Sequence, residues 1–179
     1  MQRITAAVRK KAGRIKLLLL DVDGVLTDGR IVVDYRGREI KSFDVRDGQG
    51  IRLLQRAGIQ VGIVSGRFSA AVKHRAKELG IKLVCQCADD KLVAYEKIKR
   101  ATGLSDLEVA YVGDDLVDLP LLGRVGLAIT VNDCWAELKP ACNYVTQAGG
   151  GRGAIREVVE LLLRAQHKWR NATRQYYRS

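Results

Sequence analysis

The sequence predicts an α/β domain built on a central parallel sheet, and three observations carry that expectation. Four consecutive leucines, Leu17 to Leu20, are too few to span a membrane and stop at turn-forming residues, as a strand buried on both faces does. Apolar runs of strand length then alternate with segments of helical period as far as Leu163. Carboxylates, a serine and glycines recur where those apolar runs end, which is where open α/β sheets place their chemistry.

The first strand stops at Asp21-Val22-Asp23-Gly24-Val25-Leu26-Thr27-Asp28-Gly29. Two β-rich runs, 30–34 and 38–43, flank Tyr35-Arg36-Gly37 and predict a hairpin, inserted where a direct strand-to-helix connection belongs. A two-stranded ribbon is marginal alone, so the hairpin is expected to pack on something. Residues 44–50 lead into a helix with an apolar face of Ile51, Leu53, Leu54 and Ala57, closed by Gly58. A strand over 59–64 ends in Ser65-Gly66-Arg67, and a helix over 68–79 stops at Gly80. The strand 81–85 follows, then a helix from Lys91 to about Arg100 with Asp89 as its N-cap. The strand 108–112 runs into Gly113-Asp114-Asp115-Leu116-Val117-Asp118; a helix over 119–124 and strands over 126–129 and 143–146 continue the alternation. Gly149 to Gly153 is the most flexible stretch, and it opens a last amphipathic helix through Ile155, Val158, Val159, Leu162 and Leu163.

A chain of 179 residues with an apolar fraction of 47% suits one domain, here 15–163. The net charge of +11 favours an anionic partner: nucleic acid, acidic lipid or a small phosphorylated substrate. Much of the excess sits at the ends, in Arg3, Arg9, Lys10, Lys11, Arg14 and Lys16, and in Arg164, Lys168, Arg170, Arg174 and Arg178. Segments 1–14 and 164–179 therefore read as basic, solvated extensions. The first sixteen residues have no apolar stretch of signal-peptide type, so a cytoplasmic protein without membrane attachment is expected. Cys85, Cys87, Cys134 and Cys142 lack the spacing of a zinc site, with His74 and His167 far apart, and read as reduced, buried thiols.

Side chains two apart on a strand point the same way, so Asp21 and Asp23 crowd one another and call for a cation. A hard divalent ion such as Mg²⁺, held by one or two carboxylates and a substrate phosphate, fits that need and suggests phosphoryl transfer. Ser65 and the free N–H groups beside it suit a phosphate oxygen, and Arg67 adds a charged fork. A lysine in the first turn of a helix is electrostatically misplaced, so Lys91 is expected to answer an anion outside its helix.

In their order along the chain, these motifs resemble the haloacid dehalogenase superfamily of aspartyl phosphotransferases. Over about residues 15–163 the chain is similar to its 3-deoxy-D-manno-octulosonate 8-phosphate phosphatase family. The matching runs are 21–29, Phe43-Asp44-Val45-Arg46-Asp47-Gly48, Ser65-Gly66-Arg67, Gly113-Asp114-Asp115 and Gly150-Gly151-Arg152-Gly153-Ala154. The resemblance implies a haloacid-dehalogenase-like Rossmannoid three-layer fold in which hairpin 30–43 replaces a cap domain. It implies Asp21 as nucleophile, Asp23 as acid and base, and Ser65 and Lys91 on the phosphoryl oxygens. Mg²⁺ would be held by Asp21, the carbonyl of Asp23 and Asp114, with Asp115 and Asp118 behind it or near the substrate. Substrate-binding positions carried over are Asp23, Asp44, Val45, Arg46, Asp47, Gly48, Arg52, Arg67, Arg75, Lys91 and Asp115.

The implied substrate is a phosphorylated acid sugar of lipopolysaccharide precursor synthesis. Arg67 favours the eight-carbon sugar, since relatives acting on nine-carbon acid sugars tend to carry an acidic residue there. Cys87 departs from the glycine common in relatives. The family also implies a homotetramer in which neighbouring hairpins meet and the Gly-rich C-terminal segment covers a site. Two other substrates fit some of the same residues: a nine-carbon acid sugar phosphate, and a nucleic acid end, which the net charge suits. Against nucleic acid, Phe43, Phe68, Trp135 and Trp169 form no evident stacking platform, so neither nucleic acid nor membrane is an expected partner.

Overall fold

Leu17–Leu20 lies in the middle of the molecule because it has nothing polar to show on either face, and all four side chains are fully buried. Each such leucine contributes about 1.5–3 kcal/mol by leaving water. The computed structural model describes residues 4–177; Arg3 and Arg178, counted above among the basic ends, lie outside the described residues. In chain order the elements are α1 (Ala6–Ala12), β1 (Leu17–Leu20), β2 (Val32–Val33), β3 (Glu39–Ile40), α2 (Val45–Arg56), β4 (Gln60–Val64), α3 (Ala70–Glu78), β5 (Leu83–Cys85), α4 (Lys91–Thr102), β6 (Val109–Gly113), α5 (Leu119–Leu122), β7 (Leu127–Thr130), β8 (Tyr144–Val145), α6 (Ala154–Ala165) and α7 (Trp169–Thr173).

Six strands form one parallel sheet in the order β5-β4-β1-β6-β7-β8, and β2 and β3 form the antiparallel hairpin. Alternate leucines of β1 serve opposite layers. Leu18 and Leu20 join Val8 of α1, Leu54 of α2, Val72 of α3 and Val158 of α6; Leu17 and Leu19 join Tyr95 of α4 and Leu121 of α5. The buried side chains Ile155, Val158, Val159 and Leu162 follow the helical stripe expected of α6. The fold is thus the predicted three-layer α/β sandwich, with the hairpin standing where a cap would be.

The basic ends differ from expectation. Within 4–14, α1 carries Val8 and Ala12 into the core, and the Gln166 amide donates to the carbonyls of Ala12 and Ile15 at 3.1 and 2.8 Å. Beyond Leu163, Trp169 and Ala172 pack on the same core, with the guanidinium groups of Arg164 and Arg156 at 4.7 and 5.5 Å from the Trp169 ring centroid. Arginine stems cover apolar surface while their heads stay wet, so basic composition and docking coexist. Two boundaries also move. Residues 45–50 are helical, with Asp44 as N-cap accepting from the Arg46 N–H at 2.6 Å, and Asp90 rather than Asp89 caps α4.

The four cysteines are free, but Cys87 is exposed and the other three half-buried, which corrects the expectation of buried thiols. Cys87 also has a φ of 56°, the left-handed region in which glycine is at ease, which gives the common glycine there a backbone reason. Among the described residues no helix is long and apolar enough to cross a membrane.

Candidate active site

β1 lies between β4 and β6, with Leu20 level with Ile63 on one side and Val112 on the other. Parallel strands in that register deliver Asp21, Ser65 and Asp114 to one edge of the sheet. Asp21 extends the ladder through its N–H, which donates to the Val112 carbonyl at 3.0 Å. The chain then turns at Gly24, whose φ is 81°; a Cβ there would lie 1.9 Å from Asp114 Oδ2, so only glycine lets the loop rest on that carboxylate.

These residues line a cavity of about 460 Å³ with Asp23, Arg67, Lys91 and Asp115. Lys91 is buried and answers an anion outside its helix, as its misplaced charge requires: its Nζ lies 3.1 Å from Asp21 Oδ1 and 2.5 Å from Asp118 Oδ1. Burial works against that charge, but Asp21 and Asp118 outweigh it and hold Lys91 above its ordinary range. Asp118 is fully enclosed, accepting also from the Tyr111 hydroxyl at 2.5 Å and from the N–H groups of Asp114 and Asp115 at 2.9 and 3.2 Å.

Burial, with Asp118 adding to it against the pull of Lys91, raises Asp21 to about 6. Asp114 is pushed up to about 8 by burial and by the charges of Asp21 and Asp118. Oxygens of Asp21, Asp114 and Asp118 lie within 4.8 Å of one another, so the cluster carries more negative charge than Lys91 neutralises. A hard divalent cation fits that deficit. Both oxygens of Asp118 are already engaged, which leaves Asp21 and Asp114 as the side chains free to ligate.

Of the positions expected to bind substrate, Asp23, Arg67, Lys91 and Asp115 line the cavity, and the others do not. Asp44 is engaged by Arg46, whose guanidinium also donates to the Arg152 carbonyl at 2.9 Å, while the Val45 side chain points into solvent. Arg52 and Arg75 both reach Glu78, and the Arg75 guanidinium fills the space over Gly48. Placing Asp44 to Gly48 on a helix start rather than a loop turns them away from their own cavity.

Asp47 is 2% exposed and accepts from the N–H groups of Arg156 and Gly153 at 2.7 and 3.3 Å, tying α2 to the start of α6. Burial, against those donors, raises its carboxyl to about 6. An acid whose folded pKa lies above its unfolded value of 3.8 stabilises below that value and loses the contribution as pH rises through 6. Asp47→Asn should therefore gain on the parent protein between pH 4.5 and 7.5, by up to about 2 kcal/mol at about 1.36 kcal/mol per unit. Urea unfolding at the two pH values checks this; a constant difference contradicts it.

Reading the sequence missed Glu39 and Lys41. The Lys41 side chain is 1% exposed and pairs with Asp23 Oδ1 and, at 3.2 Å, with Glu39 Oε1. Arg67 donates to Asp23 Oδ2 at 3.1 Å and to Glu39 Oε1 at 2.7 Å. The signal was available: in Glu39-Ile40-Lys41 two charges share one face of a strand and an isoleucine takes the other.

Known proteins resemble the chain along most of its length. Residues 44–126 match the family described as haloacid dehalogenase-like hydrolase. The chain is 46% identical over 166 residues to the 3-deoxy-D-manno-octulosonate 8-phosphate phosphatase KdsC of Yersinia pestis, covering 93% of this chain and 89% of that one. A crystal structure of the Yersinia pestis phosphatase superposes with a TM-score of 0.90 at 45% identity, over 91% of this chain and 88% of that one. The phosphatase from Moraxella catarrhalis, solved with magnesium ion, phosphate ion and KDO, gives 0.92 at 41% identity over 94% and 97%. With likeness of that degree along nearly the whole of both chains, the protein belongs to the 3-deoxy-D-manno-octulosonate 8-phosphate phosphatase family of haloacid dehalogenase-like hydrolases.

Proposed function

We propose that the protein hydrolyses 3-deoxy-D-manno-octulosonate 8-phosphate to the free sugar acid and inorganic phosphate, with Mg²⁺, as a cytoplasmic step of lipopolysaccharide precursor synthesis. The observation that carries this reading is the meeting of Asp21, Asp114, Ser65 and Lys91 at one sheet edge beside Asp23. Support for the metal comes from the unneutralised cluster and from the magnesium and phosphate in the Moraxella catarrhalis relative. Asp21, Asp114 and the Asp23 carbonyl are the groups to hold the ion, which when bound neutralises charge on the phosphoryl oxygens.

The chain's own residues then divide the chemistry. A carboxylate oxygen of Asp21 attacks phosphorus in line, forming an acyl phosphate as the ester P–O bond breaks. The leaving oxygen takes that electron pair and the proton of the Asp23 carboxyl. Asp23, now ionised, removes a proton from the water that attacks phosphorus; the Asp21–phosphorus bond breaks and phosphate leaves. Ser65 and Lys91 face the non-bridging oxygens, where charge concentrates, and Asp118 fixes Lys91 for that purpose. Arg67 and Asp115, at the rim, meet the sugar acid.

Asp44, Val45, Arg46, Gly48, Arg52 and Arg75 serve a site only if a second copy is apposed. We infer a homotetramer, supported by the exposed side chains of Ile31, Val32, Val33, Tyr35 and Ile40 on the hairpin, an apolar surface in search of cover. Light scattering that found a fully active monomer would overturn it.

A steady-state panel of the eight-carbon acid sugar phosphate, a nine-carbon counterpart and a 3′-phosphorylated oligonucleotide tests the activity. The eight-carbon ester should lead in kcat/KM by at least about 10²-fold, the discrimination one well-placed charged contact supplies. Equal or reversed preference would reject the reading.

A further inference from the structure

We infer that Lys41 is a positioning residue for the reaction: from the hairpin, it fixes the carboxylate of Asp23 in the orientation from which protons are exchanged with the ester oxygen and with water. This rests on the reading of Asp23 as acid and base given above.

Asp23 stands in a loop that leaves the sheet at Asp21, and no backbone ladder orients its side chain. Its two oxygens are held separately, Oδ1 by Lys41 and Oδ2 by Arg67 at 3.1 Å. The two holders are unequal. The Arg67 side chain is 45% exposed at the mouth of the cavity, where an incoming sugar acid competes for its guanidinium; the Lys41 side chain is 1% exposed and does not line the cavity. Once substrate draws Arg67 away, Lys41 is what remains on Asp23.

Glu39 completes the device. It accepts from both cations, Lys41 at 3.2 Å and Arg67 at 2.7 Å, so the four side chains sum to zero charge when Asp23 is ionised, the form in which it acts as base. The Ser69 side chain, itself buried, also meets the Glu39 carboxyl. Glu39 and Lys41 project from one face of the strand whose other face carries the exposed Ile40. The hairpin that stands in place of a cap thus reaches the reacting centre through a single buried ammonium.

Misplacing an acid by about 1 Å costs on the order of 10²-fold in rate, but only where the leaving group needs its proton. A sugar alkoxide does; 4-nitrophenolate does not. Lys41→Met should lower kcat/KM, which reports the phosphorylation step alone, by about 10²-fold on the eight-carbon sugar phosphate and by less than about 5-fold on 4-nitrophenyl phosphate, and its melting temperature should fall because a buried partner of Asp23 and Glu39 is lost. Lys41→Gln, which still donates a hydrogen bond to Asp23, should recover part of the loss. Asp23→Asn is measured beside them. If it shows the same split between leaving groups while Lys41→Met and Lys41→Gln slow both esters equally or not at all, Lys41 is not a positioning residue and the inference falls. If Asp23→Asn itself shows no split, the acid and base reading of Asp23 falls first, and the role of Lys41 with it. Should Lys41→Met not fold, Lys41→Gln carries the comparison alone.

Discussion

Asp21→Asn should lower turnover of the sugar phosphate by at least about 10⁴-fold while leaving the fold intact, because an amide keeps the shape of the side chain but offers phosphorus no anionic oxygen. The environment of Asp21 adds a second, opposite expectation for stability. Burial and Asp118 hold its carboxyl near 6 against the pull of Lys91, so the charge is a burden on the folded, metal-free protein. Asparagine removes that burden and leaves Lys91 its contact with Asp118 at 2.5 Å. The variant should melt no lower than the parent without metal, and it should gain less from added Mg²⁺. Phosphate release assays and thermal melts with and without Mg²⁺ check both halves; residual turnover within about tenfold of the parent would rule out Asp21 as nucleophile.

Asp118→Ala should damage stability more than any other change at the site. One enclosed carboxylate there accepts from Lys91, the Tyr111 hydroxyl and the N–H groups of Asp114 and Asp115. Removing it strands a buried ammonium on one side and two backbone donors on the other. Losing one partner of a buried pair costs about 3–5 kcal/mol. Turnover should fall as well, by about 10²-fold or more, because Lys91 is then free to follow Asp21 out of its phosphate-facing position. Asp118→Asn, which keeps an oxygen for the two N–H groups, should lose less stability. Urea unfolding and steady-state kinetics measure the pair of effects. A loss below about 1 kcal/mol with normal turnover would mean that Asp118 neither supports the loop nor orients Lys91.

Where the sequence spoke plainly, it did so through strand-forming runs and the residues that end them. Leu17 to Leu20 can only be buried, and once β1 is central the strands ending at Val64 and Gly113 flank it, so Asp21, Ser65 and Asp114 converge. Lys91 was legible because a cation at a helix start has an electrostatic cost that something must offset. Less legible was the start of α2, where Gly48 and Gly50 weaken the helical signal. They are glycines for packing: a Cβ on Gly50 would stand 3.2 Å from Arg156 Cα.

Helices α1 and α7 were hidden by their own lysines and arginines, which mask apolar stripes of only two or three residues. Asp47 and Asp118 illustrate a further limit. Each reads as one more carboxylate near a motif, and only the fold reveals that one caps α6 while the other grips a lysine. Lys41 was missed for the opposite reason, since a lysine on a hairpin is ordinarily a solvated one.

The central claim is that Asp21 becomes phosphorylated during turnover. It is tested most directly by acid-quenching the enzyme while it turns over the eight-carbon sugar phosphate, trapping acyl phosphate with borohydride and locating the modified residue by peptide mass spectrometry. Modification at Asp21 that requires Mg²⁺ and disappears in Asp21→Asn is the expected result. Modification at another residue, or trapping that persists in Asp21→Asn, would contradict it.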